Sequence, residues 1–270
     1  MTVTTEPLTF GSARLAALLA RVGEGVLERE RANERPFGII DLIRSERLGA
    51  LRVPASDGGG GASLRELFAT VIALAAADVN VAHILRGHFA HVEERLRLSG
   101  AVRQRAIELA LSGAIVGNAS TELGSDPAGG FVWQTRLTPD GDAYRLNGRK
   151  FFTTGTLYAD YAEVLASDPD DASVIALVPT DRAGVTVLDD WDGFGQRATG
   201  TGTAIFSDVA VSADEVLLFI VDILNEQATL LVPNDFVKTV AEKSFNATVT
   251  GDTVLLPGIM SRKKQIIPAL

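Results

Sequence analysis

The basic residues of this chain change identity near Val216. Up to that position it holds 19 Arg and one Lys, Lys150; beyond it stand four Lys (Lys238, Lys243, Lys263, Lys264) and one Arg, Arg262. Arg and Lys are near-equivalent as surface charge, though not at binding sites. No folding requirement produces so abrupt a swap. It reads as two sequences of different origin joined in one frame, so each part must find its own core and be read for function separately.

At 270 residues there is room for one large or two medium domains. A hydrophobic fraction of 46% with 22% charged residues is that of a globular chain able to bury a core. The net charge of −9 argues against nucleic acid or an anionic membrane as a general partner. No apolar run is long enough to span a bilayer. The first residues lack the basic and apolar regions of a secretory signal, which leaves a cytoplasmic address as the expectation. With zero Cys, disulfides, thiolate metal sites and a Cys nucleophile are excluded.

Residues 8–116 read as mostly helical. Leu15, Leu18, Leu19 and Val22 recur at helical spacing. Ser63 with Glu66 forms a capping box for a helix over 64–77, and further helices are predicted over 81–96 and 102–112. From Ala114 short β-type runs take over, at 130–137, 144–146, 161–166, 173–179, 185–188 and 203–211. Turn signals separate them, Asn147-Gly148 among these. Strands of this length and spacing predict a small β-barrel or sandwich. Beyond Val216 the pattern becomes α/β: strands over 217–223 and 228–232, a helix over 235–243, and a hairpin around Gly251-Asp252. The expected class is α+β multidomain: a helical domain over 1–115, a β-barrel over 116–216 and an α/β fragment over 217–270.

Two ordered motifs sit at and after the helix-to-strand boundary. The first runs from Gly117-Asn118-Ala119 through Thr121-Glu122 to Ser125-Asp126, and the second is Lys150-Phe151-Phe152-Thr153-Thr154-Gly155. Small residues let a planar ring approach backbone N–H groups, and Thr or Ser hydroxyls can hydrogen-bond ring nitrogens and carbonyls. A third stretch runs from Asp189-Asp190-Trp191 through Gly195-Gln196-Arg197 and Thr199-Gly200-Thr201 to Phe206-Ser207-Asp208. Over about residues 10–216 these motifs resemble the acyl-CoA dehydrogenase superfamily, with Phe151 where that family has Trp. The Gly117-Asn118-Ala119 opening and the Phe-Phe-Thr-Thr-Gly run are similar to one branch, the flavin-dependent monooxygenases of the dibenzothiophene and sulfone desulfurisation type.

That resemblance implies a flavin, FMN or FAD, taken in reduced form from a partner reductase and used with O2 to oxygenate a small molecule. It places Asn118, Thr121, Ser125, Thr153 and Thr154 at the isoalloxazine edge, with Phe151 or Phe152 packed on its face. All three His lie close together, His83, His88 and His91. No third ligand completes a metal site, so none is expected. His88 is the candidate for proton chemistry beside the flavin, and the alternative is an ordinary helix histidine. The superfamily's C-terminal helical bundle completes the flavin site and forms the homo-oligomer. Residues 217–270 do not read as that bundle, so the expectation is a chimeric or truncated chain without a complete active site.

The tail carries Ser261-Arg262-Lys263-Lys264-Gln265, and Arg forks and Lys point charges grip anions well. With its flanking runs it resembles the C-terminal domain of manganese-dependent (family II) inorganic pyrophosphatases. That resemblance implies phosphate contacts from Arg262 and Lys263. No His follows His91, so a two-metal hydrolytic site is not expected within the chain.

Overall fold

The computed structural model describes residues 6–124, 132–218, 248–250 and 253–255. The chain divides into two compact units, 1–218 and 219–270. The helical part of the first unit contains α1 (Ala13–Gly23), α2 (Val26–Ala32), α3 (Phe37–Glu46), α4 (Leu64–Ala77), α5 (Val79–Ile84), α6 (Arg86–Leu96) and α7 (Gly100–Ser112). The Ser63/Glu66 capping box is present in full at the start of α4. Ser12 caps α1, its hydroxyl accepting the Leu15 N–H. Leu15, Leu18 and Val22 of α1 are buried against Ile40 and Ile43 of α3 and Leu67 and Leu74 of α4. Each such side chain contributes about 2 kcal/mol.

The helix predicted over 81–96 is two helices, broken at Leu85. Gly155 packs against this break: it has φ +80°, and a Cβ there would overlap the Ile84 carbonyl.

Eight strands form one mixed sheet: β1 (Val116–Ala119), β2 (Arg136–Asp140), β3 (Ala143–Lys150), β4 (Tyr161–Ser167), β5 (Ser173–Pro179), β6 (Val185–Val187), β7 (Ala204–Ser212) and β8 (Val216–Leu218). The path is β6-β7-β3-β2-β4-β5-β8. β4 pairs in parallel with β1 along Tyr161–Val164 and with β2 at Ser167. β6 and β8 end the path and do not pair, so the sheet is open and the expected closed barrel is corrected. Strand spacing in a sequence reports how many strands exist; whether the outer two meet depends on twist and shear. Alternate residues of β4 (Ala162, Val164, Ala166) and β5 (Val174, Ala176, Val178) fill the sheet's core with Leu137, Leu146, Phe206, Val209 and Val211.

Asn147-Gly148 is not a turn either. It lies inside β3, where the register against β7 shifts between Leu146 and Gly148. This is a β-bulge. Asn147 Oδ1 accepts the Asp208 N–H, 2.8 Å, and a Cβ on Gly148 would overlap Thr135.

In the second unit β9 (Thr248–Thr250) and β10 (Thr253–Leu255) form the antiparallel hairpin expected there. The predicted strand over 228–232, the helix over 235–243, and Arg262 and Lys263 lie outside the described residues. No helix among the described residues is long and apolar enough to cross a membrane.

Candidate functional site

A cleft of about 410 Å³ opens where α5, the residues following β3 and the 188–203 segment converge. Its walls are His83, Phe152, Trp191, Gly195, Gln196, Thr199 and Thr201. Phe152 is 48% exposed and meets Trp191 edge to face, with ring centroids 6.1 Å apart. Two wall residues, Phe152 (φ +54°) and Gln196 (φ +51°), hold left-handed backbone. A bulky residue there is strained by about 1–3 kcal/mol, and such strain concentrates at functional sites.

The polar wall is a string of hydroxyls. Thr154 Oγ1 lies 2.9 Å from Thr201 Oγ1, which lies 2.6 Å from Thr199 Oγ1, and Thr199 donates to the Gln196 carbonyl, 2.8 Å. At the cleft's mouth His83 Nδ1 bonds Gln196 Oε1. Several contacts fix the 188–203 segment over the helices. Arg35 pairs with Asp189, and Asp190 accepts both the N–H and the hydroxyl of Thr203. Tyr158 donates its hydroxyl to the Ala198 carbonyl, 2.6 Å, and burial raises its pKa well above the ordinary tyrosine value.

The residues singled out from the sequence fall into groups. Phe152 lines the cleft, and Thr154 joins it through Thr201. Phe151 is half-buried behind, its N–H donating to the Thr121 carbonyl, 2.9 Å, while Thr121 is exposed. Asn118 Oδ1 accepts from Arg86, 3.3 Å, and its carbonyl accepts the Thr156 hydroxyl, 3.0 Å. Thr153 is fully buried with its hydroxyl given to the Gly202 carbonyl, 2.9 Å, which makes it a strut behind the wall. Ser125 lies outside the described residues.

His88 is in a different place altogether. It is fully buried, its Nδ1 accepts the Val116 N–H at 3.2 Å, and a Cβ on Gly49 would overlap its ring. Burial, with the charge of His91 second, pushes it down to about 4, so it is neutral and carries its proton on Nε2. Among the described residues Nε2 has no hydrogen-bond partner. One α-helical turn on, His91 donates to Glu163 Oε2, 2.6 Å, and Arg95 reaches the same carboxylate at 3.1 Å. Burial lowers His91 as well. Burial alone would raise Glu163, but the His91 hydrogen bond and the Arg95 charge hold it below the usual carboxylate range. This cluster cements α6 to β1 and β4.

Sequence reasoning passed over His83 and Gln196 as cleft residues and gave Trp191, Thr199 and Thr201 no individual role. The signal available was the 191–201 stretch, whose aromatic, amide and hydroxyl groups stand among glycines.

Residues 118–209 match the family of the acyl-CoA dehydrogenase middle domain, and residues 205–270 match the DHHA2 domain. The two matches overlap inside β7, earlier than the Arg-to-Lys switch. A dibenzothiophene monooxygenase of Rhodococcus erythropolis is 34% identical over 200 residues, covering 71% of this chain and 47% of the relative. A probable FMNH2-dependent monooxygenase of Pseudomonas putida is 28% identical, covering 74% of this chain and 50% of its own length. Among solved structures, FMN-bound TdsC of Paenibacillus sp. A11-2 superposes with a TM-score of 0.68 at 31% identity, over 76% of this chain and 53% of that one. The chain spans about half the length of these relatives. Over its matched part the chain is similar to the acyl-CoA dehydrogenase middle domain and to monooxygenases of that fold, and its tail is similar to the DHHA2 domain, in keeping with the pyrophosphatase-like resemblance.

Proposed function

We propose that the cleft binds FMN and that this part of the chain serves a flavin-dependent monooxygenase acting on a small molecule, with reduced flavin delivered by a separate reductase. The observation that carries the reading is the pairing of an aromatic wall, the exposed Phe152 and the half-buried Trp191, with a buried string of hydroxyls, Thr154, Thr201 and Thr199. A flavin ring asks for that chemistry: an apolar face and a hydrogen-bonding edge. FMN-bound TdsC and the probable FMNH2-dependent monooxygenase of Pseudomonas putida favour FMN over FAD.

Phe152 and Trp191 would hold the ring face, and Thr199, Thr201 and Thr154 its polar edge. Asn118, Thr121, Ser125 and Phe151 extend the site, with Thr153 as the strut behind it. When bound, FMN supplies the redox and oxygen-activating chemistry. His83, rather than His88, is the proton-handling side chain: Gln196 occupies its Nδ1 and orients the ring, so Nε2 is the atom that exchanges a proton. His88 acts behind it as a helix-to-sheet anchor.

Titrating FMN with the protein tests the reading through quenching of flavin fluorescence. Saturable binding at one flavin per chain is expected, weakened about tenfold by Trp191→Ala. Absence of saturable binding would sink it.

The DHHA2 match favours a second reading for the tail, phosphate binding by Arg262 and Lys263. Arg262→Ala should then abolish phosphate binding and leave FMN binding unchanged. Loss of FMN binding on that substitution would contradict two separate sites.

A further inference from the structure

Lys150 is the lone lysine up to Val216, and its side chain has no exposed surface. Its Nζ sits 2.7 Å from Glu122 Oε1 and 3.3 Å from the Ser120 carbonyl, and 4.6 Å above the centre of the Trp133 ring. Glu122 Oε1 also accepts the Thr135 N–H and hydroxyl, 2.8 and 2.6 Å, and Oε2 accepts the Gln134 N–H, 2.7 Å. Burial alone would raise Glu122, yet these hydrogen bonds hold it below the usual carboxylate range. The pair thus ties together residues 120–122 after β1, residues 133–135 before β2, and the last residue of β3.

A buried ion pair adds little net stability over well-packed apolar groups, because both charges lose their water. What it adds here is geometry. Phe151 bridges back to Thr121, and the next residue is Phe152, the strained aromatic wall of the cleft. The compact ammonium of Lys150 lies between a carboxylate and a ring face, with both charges out of water.

We propose that the Lys150–Glu122 pair is the positioning device of the cleft: it clamps both feet of the 121–135 segment onto the strand end that carries Phe152, and so sets Phe152 against Trp191. Its consequence for FMN rests on the flavin reading above; its consequence for the Phe152–Trp191 contact does not.

The test starts from Trp133→Phe, which leaves Trp191 as the sole tryptophan. Lys150→Met with Glu122→Gln then replaces the pair by neutral groups of similar size. The expected result is a melting temperature close to the parent's, a Trp191 more readily quenched by acrylamide, and FMN affinity lower by about tenfold. A folded double variant with Trp191 quenching and FMN affinity both unchanged overturns the proposal. Should the double variant not fold, Lys150→Gln alone, which removes the buried ammonium while Glu122 keeps its donors from Thr135 and Gln134, is read the same way: a shift in the same direction supports the clamp and no shift overturns it. If the parent itself binds no FMN, the flavin reading fails, and Trp191 quenching still decides the clamp.

Discussion

His83 and His88 stand five positions apart, on either side of the Leu85 break, and occupy opposite environments. The first faces an open cleft with strained backbone, the exposed Phe152 ring and hydroxyls bonded to one another. The second, with His91, Glu163 and Arg95, is sealed between α6 and the sheet. The cleft leaves the Phe152 ring open to a ligand over hydroxyls that are buried and bonded to one another. The sealed cluster uses equally reactive side chains to hold two layers together. Residue type alone does not separate the two; burial and the fate of each polar atom do.

The largest effect that would sharpen this contrast comes from Glu163→Ala. It removes the carboxylate that His91 and Arg95 share, leaving Arg95 the exposed Glu94, and should cost about 3 kcal/mol of stability in denaturant unfolding. A loss below about 1 kcal/mol would mean that the cluster is wet and not a cement.

Acid comes next. His88 is neutral when folded, held near 4 against an ordinary value of 6.5. The unfolded chain takes up that proton first, so the stability is fully present above pH 6.5 and is lost as pH falls towards 4, by about 3 kcal/mol for this group. His88→Asn keeps an acceptor for the Val116 N–H and removes the titration. Its stability should vary less than the parent's over that range, with His91 leaving a residual slope of the same sign. An unchanged slope would place the acid sensitivity elsewhere.

The smallest effect on stability belongs to the cleft. Phe152→Gly relieves the left-handed backbone and removes an exposed ring, so unfolding should shift by no more than about 1 kcal/mol. FMN affinity should nevertheless fall about tenfold. A variant that loses stability but binds FMN normally would break the comparison by making Phe152 a structural residue.

Much of the local architecture was legible in the sequence. The α4 boundaries and their capping box follow from Ser63, Glu66 and the apolar spacing, because caps act within one turn. The 248–255 hairpin follows from Gly251-Asp252 between β-branched runs. Phe152 and Thr154 came from an ordered motif. The break at Leu85 left no mark in the apolar spacing, and the residue packed against it, Gly155, lies far along the chain. Asn147-Gly148 looked like a turn because Asn and Gly favour left-handed turns, and the Asp208 N–H recruits it into a bulge instead.

By itself the sequence determined the family motifs, the helical-then-strand order and the Arg-to-Lys switch, all carried by residue identity and short spacing. Tertiary structure decided that the sheet stays open, that β7, where the two family matches overlap, is built into the first unit's sheet, and which histidine meets the cleft. It also gave Lys150 its meaning. A lone lysine among arginines is only a compositional oddity until the fold brings Glu122, Ser120 and Trp133 around it from distant segments. Only then does the buried ion pair exist, because desolvation and pairing belong to the assembled fold.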